Sequence, residues 1–316
     1  MTESRLPFSI SYQTEGVTPV ADVIAALEAT DALMRDAVSL LPSLYKGLKV
    51  EKCSLNVHKL TQESPLREYF LLALVVAFQD DLVGEVPPVI EDLFKVTVND
   101  RYDTIVTVIF MIVVFYGAGL AVDLVKKAVS DSLPREKYEE LLDFLALEVG
   151  RPVSELRQIV HARFEKPSAV RRLVGHSKQL FLPSQKDRNA PVLFDRDLIS
   201  SDTVRDIPYA GDSDQKQDFD KYDPHHAVEL EMHAQDKDKA ATGWAAVATG
   251  ISPARLKVRV VEPVQPSDLR GKDFVTADIV LVSKLTANGY QPFEIQISEV
   301  YPTGEVRSAL SQPSTE

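Results

Sequence analysis

The chain predicts an α+β fold: an N-terminal α+β domain, a single transmembrane helix, a helical linker and a small C-terminal β-rich domain. Three observations carry this expectation. Alternating and helix-period apolar segments are interleaved over residues 1–99, an uncharged run of nineteen residues follows at Thr104–Val122, and four alternating segments fill the C-terminal third. The boundaries that follow are 1–99, 100–127, 128–190 and 191–316.

A chain of 316 residues has room for two or three units, and 45% hydrophobic with 26% charged residues excludes global disorder. One cysteine, Cys53, excludes an internal disulfide and a cysteine zinc cluster, and fits a reducing cytoplasm for the soluble parts. The opening MTESRLPFSISYQ lacks a basic start followed by an apolar stretch, so no cleavable signal peptide is expected. A net charge of −12 argues against wrapping duplex DNA with the whole surface, but not against a local basic patch.

Leu6–Tyr12 alternates, with Phe8, Ile10 and Tyr12 against Ser9 and Ser11, and predicts a strand. Thr18 and Pro19 open a helix: a hydroxyl caps it, proline suits its first turn, and Asp22 meets the positive end. Val20, Ile24, Leu27, Met34, Val38 and Leu41 keep helical spacing until Pro42 stops the run. Cys53, Leu55 and Val57 alternate with Ser54, Asn56 and His58 as a second strand. The apolar run Tyr69–Phe78 is too short to span a bilayer as a helix, and suits a doubly covered strand or a buried helix.

Thr104–Val122 has no charge between Asp103 and Asp123, and at about 1.5 Å per residue it covers roughly 28 Å, close to the thickness of a bilayer's hydrocarbon core. No side of it is polar, whereas a surface helix carries a charged side. A membrane span is the first reading; a buried central helix of a soluble oligomer is the second, kept open by the many β-branched residues. Asp81, Glu85, Glu91, Asp92, Asp100 and Asp103 precede the run and Lys126 and Lys127 follow it, so the positive-inside tendency puts the C-terminal side in the cytoplasm. Gly117, Ala118, Gly119 and Ala121 are small enough to let helices approach closely. One helix encloses no water, so conduction needs several copies around an axis. Tyr116, Gly119 and Asp123 share one side and are the candidate pore-lining residues. Asp123 either forms a cation-favouring carboxylate ring or ends the helix at the interface.

Beyond the run, Pro134–Glu148 predicts an amphipathic helix with Tyr138, Leu141, Leu142, Leu145 and Leu147 on or near one side. Ser154–Phe164 and Ser168–Val174 predict two short helices, the second ending at Gly175. Ser184–Pro224 reads as loop, Ala309–Glu316 as a frayed tail, and Ala227–His233, Arg255–Val261, Phe274–Val282 and Pro292–Val300 as strands.

No phosphate loop, nucleophile elbow, HExxH or dinucleotide fingerprint occurs, so no catalytic residue, metal or cofactor is expected. Asp212, Asp214, Asp218, Asp220, Asp223, His225, His226, Glu229 and His233 lie close in sequence. They lack the glycine turn and closing glutamate of a calcium loop, and predict a solvated acidic segment. Charge is the stronger signal. Arg151–Ala190 holds nine Lys/Arg against three Asp/Glu, and Pro191–Gly250 holds six against thirteen. In the basic stretch, Arg163, Arg171, Arg172, His176, Lys178, Phe181, Lys186 and Arg188 are the candidate nucleic-acid-binding residues, with Phe164 and Lys166 beside them. Cations neutralise phosphates and an aromatic face stacks a base. The bland alternative is a positive juxtamembrane or interdomain surface. Arg255, Lys257 and Arg259 alternate with Leu256 and Val258, and present three further cations on one strand face.

The opening strand FSISY at Phe8–Tyr12, the helix from Thr18, the SPLREYF stretch at Ser64–Phe70, one apolar span and a basic, then β-rich C-terminal half occur in this order. In that arrangement, which covers most of the chain, it resembles the channel effectors of the Hailong antiphage system. The resemblance implies a homotetrameric ion channel among the lipids of the bacterial inner membrane, its C-terminal domain cytoplasmic. Single-stranded DNA oligomers, made by a cognate nucleotidyltransferase, would hold it closed. Their loss upon infection would open it and disrupt the membrane, an antiviral abortive response without enzymatic activity. No individual binding residue carries over by motif. The alternative is a soluble oligomeric nucleic-acid-binding or scaffold protein that buries its apolar helix at a subunit interface.

Overall fold

The computed structural model describes residues 2–61, 65–78, 101–210, 219–234 and 243–301, and it divides into two compact units, Met1–Gln217 and Asp218–Glu316. The boundaries expected at 99, 127 and 190 all fall inside the first unit. Asp81, Glu85, Glu91, Asp92 and Asp100, the acids Asp212, Asp214 and Asp218, Ser64 and the tail Ala309–Glu316 lie outside the described residues.

The structure is mixed α+β. In the first unit, β1 (Thr2–Tyr12), β2 (Leu48–Thr61), β3 (Leu66–Phe78), β4 (Val192–Phe194) and β5 (Asp197–Ile199) form an antiparallel sheet in the order β2-β3-β1-β4-β5. The alternation of β1 sets its burial, with Leu6, Phe8, Ile10 and Tyr12 in the core. β3 pairs with β1 along its length, and Phe8 stacks on Phe70 with centroids 5.6 Å apart. The apolar run Tyr69–Phe78 is therefore a strand. Its faces differ: Phe70, Leu72, Leu74 and Val76 are buried, while Tyr69, Leu71, Ala73, Val75 and Ala77 stay half-buried.

The helices of this unit are α1 (Val20–Leu44), α2 (Ile105–Lys126), α3 (Leu133–Val149), α4 (Val153–Arg163), α5 (Pro167–Leu180), α6 (Leu182–Lys186) and α7 (Ser201–Asp206). Two expected stops fail. Pro42 sits in the last turn of α1, where it removes one backbone hydrogen bond but does not end the helix. Gly175 lies inside α5, since Leu173, Val174, Ser177 and Leu180 keep packing on the core past it. In α3, Tyr138, Leu141, Leu142 and Leu145 are buried as expected, but Leu147 is 83% exposed. The expected loop Ser184–Pro224 begins in α6, contains β4, β5 and α7, and ends in the strand Asp220–Ala234; the three inner pieces are too short for a period to register and are pinned by Val192, Phe194, Ile199 and Val204 in the core.

The nineteen-residue apolar run forms α2, capped by the Thr104 hydroxyl, which accepts from the Thr107 N–H at 3.2 Å. Its Phe110 meets Phe8 and Phe194 of the sheet, with centroids 5.0 and 6.2 Å away. α1, α3 and α5 pack against α2 as well, and every residue from Ile105 to Leu124 is buried. Among the described residues it is the one helix long and apolar enough to cross a membrane by length and composition, and here protein encloses it entirely. A rod of about 33 Å fits the diameter of a small domain as well as a bilayer, and the lack of a polar side says only that all sides are covered. A Cβ on Gly117 would stand 2.1 Å from Ser177 Oγ and 2.8 Å from Leu173 Cγ, so α2 and α5 approach as closely as glycine permits.

The second unit is a closed barrel of β6 (Asp220–Ala234), β7 (Ala245–Ala248), β8 (Ser252–Val260), β9 (Phe274–Thr286) and β10 (Gly289–Val300), in the order β10-β8-β7-β6-β9. The sequence β9-β6-β7-β8 is a Greek key, and β10 closes the barrel by running parallel to β8 and antiparallel to β9. A short helix, α8 (Pro266–Leu269), joins β8 to β9. Leu230, Trp244, Leu256, Val258, Ile279, Ile295 and Ile297 fill the interior. Closure pairs β8 with β10 and so removes the two outer edges an open sheet would have. β7 is Ala-Ala-Val-Ala, which carries no apolar–polar alternation for sequence to reveal.

Candidate nucleic-acid interface

The basic segment 163–188 is largely consumed by its own unit. Arg163 donates to Asp36 on α1 and lies 5.8 Å from the Phe164 ring centroid. Lys186 Nζ donates to Asp22 Oδ1 at 2.7 Å. Lys178 is buried, and Phe181 is fully buried against Phe115 and Phe194, so it offers no face to a base. The amphipathic period of α5 explains this: positions 174, 177, 178 and 181 turn inward with Val170. Burial pushes the half-buried His176 imidazole below its ordinary value, so at neutral pH it adds no charge. Arg171, Arg172 and Arg188 are exposed, and Arg172 and Arg188 have no ion-pair partner among the described residues.

The three candidate pore-lining residues also face protein. Tyr116 packs among Tyr138, His161 and Phe164, with centroids 5.2, 5.5 and 5.8 Å away. Gly119 backs onto Arg135, whose Cα would lie 3.8 Å from an added Cβ. Asp123 is fully buried, accepts from the Arg135 guanidinium and takes the Ser130 N–H at 3.0 Å. It lies in the last turn of α2 inside the fold, where one guanidinium balances it.

The barrel carries a second, more open set of cations. Along β8, Leu256 and Val258 point inward while Arg255, Lys257 and Arg259 point out. Outward positions on a strand repeat at about 6.6–6.8 Å, which makes a straight row of positive charge. Lys257 Nζ lies 3.5 Å from Glu294 on β10, and Arg255 and Arg259 have no ion-pair partner among the described residues. On β10, Phe293 is 47% exposed, and Lys284 Nζ of β9 sits 3.6 Å from its ring centroid.

Within the acidic, histidine-bearing stretch, His226 and the backbone of Ala227 take part in the barrel's own hydrogen bonding. At the bulge in β6, Asp278 Oδ1 accepts from the Ala227 N–H at 2.8 Å and the Tyr301 hydroxyl at 2.9 Å, and Oδ2 meets His226 Nδ1 at 2.9 Å. Burial acts to raise the Asp278 carboxyl, but these hydrogen bonds outweigh it and hold it below the ordinary carboxylate value.

Sequence reasoning missed Glu68. It occupies an inward position of β3 between Leu66 and Phe70, is fully buried, and neither carboxylate oxygen has a hydrogen-bond partner among the described residues. Burial pushes its carboxyl up to about 8, so it stays protonated at neutral pH. The neighbouring Tyr12 hydroxyl donates to the Leu180 carbonyl at 3.0 Å and is shifted up by burial first and by Glu68 second. The signal was present in the phase of Leu66, Glu68, Phe70 and Leu72, which puts the acid on the buried face.

No protein-family model, curated protein or solved structure matches this chain.

Proposed function

We propose that this protein binds single-stranded nucleic acid through the outer face of its C-terminal barrel. The observation that carries this is the row Arg255, Lys257 and Arg259 on the third strand of a five-stranded Greek-key barrel whose third and fifth strands run parallel. Barrels of this topology, the oligonucleotide- and oligosaccharide-binding type, use the face of their second and third strands for ligands. Topology alone is an analogy, and the charge row is the independent support. With a net charge of −12, the rest of the surface repels a polyanion, so binding is local and backbone-directed.

The test is fluorescence anisotropy of a labelled single-stranded oligothymidylate with the full chain, titrated across salt. Arg255→Glu with Arg259→Glu should weaken binding at least about tenfold and flatten the slope of log affinity against log salt by roughly 1.4, the value for two lost single-strand phosphate contacts. Unchanged affinity in the double variant removes the barrel as the binding surface.

A second reading is a ligand-gated membrane channel of antiphage defence, and the uniform apolarity and length of α2 favour it. On that reading α2 leaves the core it fills, and single-stranded DNA oligomers bias the tetramer toward closure through differential affinity. Protein recovered from washed membranes, with liposome ion flux that responds to oligonucleotide, is the expected result. Soluble, detergent-free protein without flux rejects it.

A further inference from the structure

We propose that Phe293 is a base-stacking platform of the barrel face, an inference that rests on the single-strand-binding reading. Ile295 and Ile297 are fully buried, and strict alternation along β10 would bury Phe293 with them. Instead the register against β9 shifts between Pro292 and Glu294, and Phe293 emerges 47% exposed. Pro292 has no N–H to give the ladder, which suits a bulge, and bulges re-aim side chains. A large aromatic is thus turned out of the barrel core at one chosen position.

The position is informative. Glu294, the residue after Phe293, is level with Lys257 on the parallel neighbour β8, so the bulge opens beside the end of the cation row. Adjacent strands lie about 4.8 Å apart, so Phe293 belongs to the strand beside the cation row. Lys284 holds its ammonium over one face of the ring, 3.6 Å from the centroid, which adds a cation there and assigns a stacked base to the opposite face. An exposed ring on the strand next to a row of cations matches the chemistry of a single strand: the backbone follows Arg255, Lys257 and Arg259, and an unpaired base lies on Phe293. Every base has a π-face, so the site is tolerant of sequence but requires a base.

The experiment compares an oligothymidylate with an abasic oligomer of equal length and charge, using the full chain and its Phe293→Ala and Phe293→Trp variants, with thermal melting as a check on folding. The wild type should prefer the base-bearing strand by about tenfold, Phe293→Ala should abolish that preference while leaving abasic affinity and salt slope intact, and Phe293→Trp should keep it. If Phe293→Ala keeps the preference, or weakens both ligands equally, the platform is wrong while the barrel reading stands. If the wild type binds neither ligand, the barrel reading falls and the platform with it.

Discussion

Replacing Arg135 with methionine is expected to cost the first unit roughly 3–5 kcal/mol of stability, the range for breaking a buried ion pair from one side. Asp123 is fully buried at the end of α2, and the guanidinium of Arg135, 29% exposed, is the cation that balances it. Without it the carboxylate keeps the Ser130 N–H but must either remain charged in the protein interior or take up a proton. Asp123→Asn combined with Arg135→Met should recover most of the loss, because no charge is then stranded. Urea unfolding followed by circular dichroism measures it, and a shift in midpoint at constant slope is the expected form. A loss below about 1 kcal/mol would mean that Asp123 is solvated, as it would be around a water-filled pore.

Glu68→Met should stabilise the protein at pH 9 by on the order of 4 kcal/mol, and much less at pH 4.5. Burial raises the folded-state carboxyl to about 8 from an ordinary 4.5, so between those values the folded chain holds a proton that the unfolded chain has lost. Stability from this group is therefore complete below about pH 4.5 and falls as the pH climbs to about 8. Methionine has a similar volume and no proton to lose, so the difference in melting temperature between variant and wild type should widen by roughly 10 °C over that interval. A difference that stays flat with pH would show that the Glu68 carboxylate finds water or a partner when it ionises.

Much of the fold was legible because local periods follow from backbone geometry. Phe8, Ile10 and Tyr12 alternate, and the chain there is a strand; Val20 to Leu41 repeats at helical spacing, and the chain there is a helix. The cation row at Arg255, Lys257 and Arg259 was visible for the same reason, since alternation with Leu256 and Val258 fixes which side faces solvent. The internal pairing of the basic segment 163–188 was not legible. Charge counts along the chain do not record Asp36 and Asp22 arriving from α1 to pair with Arg163 and Lys186, nor Phe181 turning into the core. Phe293 escaped notice because a bulge breaks the rule that sequence reading relies on.

The sequence by itself determined that Thr104–Val122 is a helix with no side fit for water, and that a basic stretch precedes an acidic one. Only the tertiary structure decided what covers that helix: a sheet on one side and three helices around it, because burial depends on segments far apart in sequence meeting in space. It also decided which cations remain open. A residue's period is a local property, whereas its partner is supplied by the rest of the fold.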